Sequence, residues 1–595
     1  MIRTPLRPLA RIIAARQTGE NPDQIERENL RKRHEHMQDR SRQSAESRLL
    51  VMGAFLLLAF MLVGMRMGAL AASEPTEPRA SATGAAILAE RADIVDRRGR
   101  ILATNFVTHS LYAQPPIMVD KVGAAAELAR IFPDLDEQKL FDDFNGKRKF
   151  IWIKKRISPE QLQQVHDIGD PGLLFGPREM RLYPNGRVAA HVLGGSSFGR
   201  EGVHAAEIIG VAGVEKAFDE TLRDPARGDA PLELSLDLTV QAATEQVLFG
   251  SMKLLNAKGA AAVLMDVHTG EVISLVSLPD FDPNSRPAPA TTGHPDDTPL
   301  FNRAVQGLYE LGSVFKAFTV ANAMERGLVH AGTQVDTTGP LRWGKHKIRD
   351  FRNYGKSLSV TDVLVKSSNI GTARIAQAIG ADEQQDFLGA LGLLQPTSIE
   401  LVEAAGAVPL RPKNWSEIST MTISFGHGMS SSPLHLAAAY ATIANGGTRI
   451  KPTILRQSKP QRGERVLSAD TSAEVMSMLR QVVTRGTASF GDVEGYAVAG
   501  KTGTADKPKR TGGGYHDEKV IATFASAFPA HNPKYVLIVS LDEPTENSGD
   551  EPRRTAGWTA VPVAAEIIAR VAPLLGLRPQ IELAPSDEIT LAANR

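Results

Sequence analysis

The chain has 595 residues, with 68 Lys and Arg against 67 Asp and Glu, 14 His and no Cys. That length suggests about two to four domains, and the lack of Cys excludes disulfides, iron–sulfur clusters, thiolate catalysis and Cys-ligated zinc. A net charge near zero, with no long basic block downstream, argues against a nucleic-acid protein.

Residues 1–48 are polar and Arg-rich, without a sustained apolar period, and read as a mobile tail or a frayed amphipathic helix. Leu49 to Met65 is an uncharged run; Arg66 interrupts it and apolar residues continue to Ala72. About 20 apolar residues cross a bilayer, so 49–72 spans one if Arg66 snorkels to an interface. A buried core helix and a cleaved signal peptide share this composition. However, 48 residues precede the run, whereas a whole signal peptide is usually ~15–30 residues. Residues 1–48 carry 11 Lys and Arg, and the stretch just after Ala72 carries almost none. The positive-inside rule then predicts a cytoplasmic N-terminus and a single-pass anchor, with the rest of the chain outside.

Residues 73–85, with two Pro and small side chains, form a linker. Residues 86–235 mix short strands and helices around Gly/Pro turns, including a hairpin-like stretch over 92–105. Residues 236–255 are an amphipathic helix leading into a second domain, 236–575. Residues 260–278 are two β-rich runs around His268-Thr269-Gly270. A Pro/Asp-rich loop follows over 279–300, and helices then dominate until strand-like segments at 496–504, 520–528 and 535–541. Strands at both ends of a helical middle predict an α+β domain with one antiparallel sheet flanked by helices. Residues 576–595 read as a loose tail.

Three short motifs carry the chemistry. In Ser313-Val314-Phe315-Lys316, Ser and Lys at i, i+3 share a face at the start of a buried helix that Gly327 ends. A Lys one turn from a Ser can deprotonate it. Ser367-Ser368-Asn369 lies between two helical segments, and Lys501-Thr502-Gly503-Thr504 ends a strand. Alone these read as a surface pair, a helix cap and a turn. In this order they form the S-x-x-K, S-x-N, K-T-G set of serine β-lactamases and penicillin-binding proteins. Gly495 to Thr502 also fits the P-loop pattern, with 536–543 resembling a Walker B strand. A P-loop needs a helix directly after its Lys-Thr. Here Gly503, Pro508 and Gly512–Gly514 follow instead.

With these motifs the chain resembles a class B penicillin-binding protein over roughly residues 90 to 570. Tyr309 to Lys316 is similar to that family's Y-E-P-G-S-x-F-K, with Leu311 in place of Pro, and Pro279 to Asn284 resembles its P-x-F-D-P-N loop. Further marks are Arg91, Asp96, Arg97 and Gly99; Arg181, Tyr183, Pro184, Gly186 and His191; and Gly210, Gly213, Glu215 and Phe218. The resemblance implies structural roles for these in a pedestal domain. No glycosyltransferase-like module precedes them, which sets the chain apart from class A. Ser424 to Met429, the following SPLHLAAAYATIANGG and Leu541–Pro544 resemble the division-specific (FtsI-type) enzyme more than the elongation-specific one. His427 is expected to be structural rather than a catalytic base.

The resemblance implies a transpeptidase-fold domain above the pedestal and a D,D-transpeptidase that cross-links septal peptidoglycan, with no metal or cofactor. Ser313 would attack the stem-peptide D-Ala-D-Ala carbonyl, with Lys316 as base. Ser367 would relay a proton and Asn369 would orient Lys316 and substrate. Lys501, Thr502 and Thr504, on a strand that includes Gly503, would bind the terminal carboxylate. Backbone N–H groups of Ser313 and Thr504 would hold the oxyanion. Expected partners are stem peptides on glycan from lipid-linked precursor, β-lactam antibiotics, the inner membrane, and an FtsW-like membrane glycosyltransferase with other division proteins. The elongation-specific enzyme, a membrane-anchored β-lactam sensor or β-lactamase, and a scaffold with dispensable chemistry are the competing readings. A sensor would not need a pedestal of ~150 residues, and the intact motifs argue against a scaffold.

Overall fold

The computed structural model describes residues 7–19, 21–72, 91–201, 206–228 and 230–580. The expected linker 73–85, residues 86–90 of the expected pedestal and residues 581–595 of the expected tail lie outside the described residues. The chain divides into two compact units.

The first unit comprises Met1–Ser81, Tyr112–Ile153 and Gln164–Leu174. Its N-terminal part is helical: Arg7–Thr18 is followed by one continuous helix of 51 residues, Pro22–Ala72. Of the two readings of 1–48, a mobile tail or a frayed amphipathic helix, the described residues take the helical one. The segment has no apolar stripe, but it is rich in Arg, Glu and Gln, which favour helix intrinsically. Its Lys32–Glu28 and Arg31–Glu35 pairs, at 2.6 and 3.1 Å, add about 0.2–0.5 kcal/mol each. Within the helix, Arg48–Met67 is 20 residues with mean hydropathy 2.3, long and apolar enough to cross a membrane. The rest of the unit holds helices Lys121–Ile131 and Glu137–Asn145, N-capped by Asp120 and Asp136. Trp152 packs edge-on against Tyr112 and Phe150, whose own rings are tilted by 30°, with centroids 5.1–6.0 Å apart.

The second unit comprises Ala82–Leu111, Lys154–Gln163 and Phe175–Arg595. Ile94–Val95 turns back through Gly99, at φ +77°, onto the strand beginning at Ile101, so the hairpin-like reading of 92–105 holds. Three of the family-marked residues converge on a fourth, Glu215, which is fully buried. Arg91 and Arg181 each donate to it at 2.7 Å and Tyr183 donates at 3.2 Å. Asp96 accepts from the backbone N–H groups of Arg98, Arg100 and Leu238. Asn284 pairs with the Tyr183 backbone in both directions at 3.0 Å, joining the P-x-F-D-P-N loop to these residues.

The large sheet has five antiparallel strands: β1 Gly259–Asp266, β2 Val272–Leu278, β3 Ala499–Pro508, β4 Tyr515–Phe528 and β5 Tyr535–Asp542, in the order β3-β4-β5-β1-β2. This is the expected α+β arrangement. In β1, Gly259 through Met265 are all buried, and β2 is buried throughout. Such runs do not alternate because helices cover the sheet, among them Leu238–Leu254, Pro433–Ala444 and Ala560–Leu574. Asp237 caps the first of these through the N–H groups of Thr239 and Val240. Every residue of Pro433–Ala444 is buried. Its Tyr440 hydroxyl donates to the Val314 carbonyl at 2.8 Å, and Phe318 stacks edge-on against Phe315 and Tyr440 at 5.4 and 5.3 Å. The core thereby holds the backbone that carries Ser313.

Candidate active site

Gly312–Phe315 forms a 3₁₀ turn that runs directly into the helix Lys316–Glu325. In such a turn i and i+3 eclipse, so Ser313 and Lys316 lie one above the other. Ser313 is half-buried and Lys316 is fully buried.

The lysine meets the second motif. Its Nζ donates to the Ser367 carbonyl at 2.5 Å, to Ser367 Oγ at 3.0 Å and to Asn369 Oδ1 at 2.7 Å. Lys501 Nζ, also fully buried, donates to the same Ser367 Oγ at 3.0 Å. One hydroxyl thus bridges two lysines. Ser367 takes a left-handed backbone at φ +61°, a strained conformation for a non-Gly residue. Burial, reinforced by the charge of Lys501, pushes the Lys316 amine well below its ordinary range, with Asp350 opposing. Burial brings Lys501 down to about 7.

Asp350 carries no motif and was missed. Its Oδ1 accepts from the N–H groups of Asn369 and Ile370 at 2.5 and 3.0 Å, and its Oδ2 accepts from Ser368 Oγ at 2.7 Å. It therefore fixes the N-terminus of helix Asn369–Ile379, and with it the direction of Asn369. Asn369 Nδ2 in turn donates to the Arg349 carbonyl at 3.0 Å.

The third motif lies within β3. A Cβ on Gly503 would fall 2.2 Å from the Leu311 carbonyl oxygen, and one on Gly312 (φ +63°) would fall 2.7 Å from that of Thr504. The strand and the turn that bears Ser313 are in backbone contact, which only glycine permits. The Thr502 hydroxyl meets that of Thr487 at 2.7 Å, and Thr504 Oγ1 accepts from Ala556 N at 3.0 Å. The P-loop reading fails: Gly500 to Thr504 is extended strand, and the chain proceeds into a hairpin with β4.

Gly426 closes the other side of the turn. Its carbonyl accepts from Gly312 N at 3.3 Å, and a Cβ there would lie 2.1 Å from the Gly312 oxygen. Next to it, His427 Nδ1 is 2.7 Å from Glu310 Oε2. Glu310 Oε1 also accepts from Gly428 N at 2.9 Å and from the Tyr515 hydroxyl at 3.0 Å. Glu310 sits in the quoted Y-E-L-G-S stretch, but nothing in the sequence marks Tyr515 as its partner. Among the described residues no cluster of His, Asp and Glu could hold a metal ion.

A family model described as the penicillin binding protein transpeptidase domain matches residues 260–569, and one described as the penicillin-binding protein dimerisation domain matches residues 86–227. A protein of Caulobacter vibrioides named probable peptidoglycan D,D-transpeptidase FtsI is 35% identical over 570 residues, covering 93% of each chain. One of Neisseria gonorrhoeae named probable peptidoglycan D,D-transpeptidase PenA is 32% identical, over 83% of this chain and 86% of that one. Peptidoglycan D,D-transpeptidase FtsI of Escherichia coli K12 is 30% identical, over 82% and 84%.

Proposed function

The chain belongs to the class B penicillin-binding proteins, of the division type, and on that premise we propose how its residues carry out peptidoglycan D,D-transpeptidation. Its substrates are peptidoglycan stem peptides, and β-lactams are its inhibitors. The elongation-specific and sensor readings are not favoured. The observation that carries the residue assignment is the meeting of two fully buried lysines on the Ser367 hydroxyl, beside the turn that bears Ser313.

Lys316, kept neutral by its surroundings, accepts the Ser313 proton. Ser313 Oγ attacks the penultimate D-Ala carbonyl. The C–N bond breaks, and the proton passes through Ser367 to the leaving D-Ala amine. Asn369 holds Lys316 and the substrate amide, while Lys501, Thr502 and Thr504 receive the terminal carboxylate along the edge of β3. The N–H groups of Ser313 and Thr504 stabilise the oxyanion; removing one such donor typically costs 10²–10³ in rate, about 2.7–4 kcal/mol. An amine from a second stem then replaces Ser313 on the acyl carbon. Incubating the enzyme with pentapeptide-bearing glycan should release D-Ala and form cross-links, and digestion of the stalled enzyme should give an acyl adduct on the Ser313 peptide. An adduct on any other serine overturns the assignment.

The Lys501 assignment has a pH signature. Its ammonium is present below about 7 and lost above it. Attraction of the carboxylate weakens accordingly, so the second-order acylation rate should fall as pH rises through about 7. Lys501→Arg, which stays charged, should flatten that alkaline limb. An unchanged limb in the variant removes Lys501 from carboxylate binding.

The reading divides the chain into cytoplasmic tail 1–48, membrane helix 49–72, linker 73–85, pedestal 86–235, transpeptidase domain 236–575 and tail 576–595. The apolar 20-residue stretch and the 11 basic residues of 1–48 support an inner-membrane anchor with catalysis outside. The division type supports partnership with an FtsW-like glycosyltransferase. Replacing residues 1–72 by an unrelated single-pass anchor should preserve penicillin binding yet leave cells filamentous. Normal septation by the swapped protein would remove partner recognition from the anchor.

A further inference from the structure

Cross-linking needs something that acylation does not. The acceptor amine arrives as an ammonium, whose ordinary pKa lies near 10, and only its neutral form attacks an ester. The buried site around Ser313 presents Lys316, which takes the Ser313 proton in the first half-reaction, and Lys501, which receives the terminal carboxylate. On the other side of the nucleophile turn the chemistry is different. The segment following Gly426 runs beside the residues before Ser313: Ser431 and Tyr309 exchange backbone hydrogen bonds at 3.0 and 3.1 Å, and Gly312 N bonds to Gly426 O. Between these links lie Glu310 and His427.

The protonation of His427 follows from its partner. A carboxylate only accepts, so Nδ1, 2.7 Å from Glu310 Oε2, carries the proton, and in the neutral ring Nε2 then carries the lone pair. Glu310 is itself held by Gly428 N and the Tyr515 hydroxyl. Phe425 and Tyr515 contact the imidazole ring edge-on at 5.8 and 5.6 Å and fix its plane. Among the described residues Nε2 has no hydrogen-bond partner, and the side chain is 33% exposed, whereas Glu310 is only 11% exposed. A base oriented by a buried carboxylate, with its second nitrogen open, is the general-base arrangement.

We propose that His427 is the general base of the second half-reaction, with Glu310 and Tyr515 as its positioning residues. The proposal rests on Ser313 being the acylated residue. The acceptor ammonium approaches the Glu310 carboxylate and gives one proton to His427 Nε2, which passes it to solvent. The neutral amine attacks the acyl carbon. The C–N bond forms, the C–Oγ bond of Ser313 breaks, and a second amine proton returns to Ser313 Oγ through Ser367 and Lys316. One proton stays on the new amide.

The test separates the two halves on the full chain in detergent, using a thioester donor and a D-amino acid as the acceptor amine. In His427→Gln, aminolysis of the acyl-enzyme should fall about 100-fold, within the 10²–10⁴ typical of a general base, and the ratio of aminolysis to hydrolysis should fall with it. In His427→Ala, added imidazole should restore aminolysis in proportion to its concentration. Glu310→Gln should show a smaller loss of the same kind. Equal losses in acylation and aminolysis, or no response to imidazole, assign His427 a purely structural role and overturn the proposal. A wild-type enzyme that carries no adduct on Ser313 fails at the earlier assignment instead.

Discussion

Ser313→Ala gives a folded protein that takes up no penicillin covalently. The substitution removes one hydroxyl from a half-buried position and opens almost no cavity, so packing costs are small. The turn's position is set by Tyr440, Phe315, Phe318 and the glycine contacts, none of which the hydroxyl touches. Circular dichroism and thermal midpoint should match wild type within about 2 °C, a shift expected for well under 1 kcal/mol in a chain of this size. Labelling by a fluorescent penicillin should drop at least about a thousandfold, as for removal of a covalent nucleophile elsewhere. Ser367→Ala is the control: it keeps the nucleophile and loses the bridge between the lysines, so it should label slowly but label. Labelling of Ser313→Ala at the wild-type rate would place the nucleophile elsewhere.

The second large effect is on stability. Glu215 is fully buried between Arg91 and Arg181, whose side chains are only 2% and 1% exposed. Glu215→Ala leaves two guanidiniums buried without their carboxylate. Breaking one buried ion pair from one side costs roughly 3–5 kcal/mol, and here two pairs break together. Arg91 keeps Asp219 at 2.8 Å, which offsets part of the loss. Urea unfolding of the detergent-solubilised chain should therefore show a loss of at least about 3 kcal/mol in the transition that includes the pedestal residues. Glu215→Gln, which keeps the shape and one acceptor, should lose less. A change under about 1 kcal/mol in Glu215→Ala would mean that the three side chains relax to solvent.

The groups assigned to the reaction were legible because the proposed chemistry demands particular residue types at short spacing. Ser313 and Lys316 are one turn apart, Ser367 and Asn369 flank a helix start, and Lys501 to Thr504 are consecutive. The sheet was legible for a related reason: its strands are long apolar runs bounded by turns, as in 260–278. What escaped depends on contacts that the chain order does not encode. Asp350 is 19 positions from Asn369, and its spacing from the helix it caps follows no period. The left-handed backbone of Ser367 arises from the junction between two helices, and a serine does not advertise it. His427 was visible as a residue, but its partners lie 117 positions before it and 88 after it. The N-terminal helix was only half legible, for the opposite reason. It is stabilised locally by charge pairs rather than by an apolar stripe, so the pattern that reveals packed helices was absent.

The three glycines at 312, 426 and 503 bear on how such an enzyme can escape a drug. Around the nucleophile the walls are main chain pressed on main chain, with a Cβ at any of the three landing 2.1–2.7 Å from a carbonyl oxygen. Main-chain atoms are common to every sequence, so selection has no side chain there to exchange. Variation that lowers drug uptake while sparing growth is thereby pushed outward, to side chains that line the approach without holding it. Phe351, 92% exposed, is the chain neighbour of the Asp350 that caps the second motif. Resistance in this fold is then a change in how a ligand enters, made at the rim, around a centre that mutation cannot retune without dismantling it.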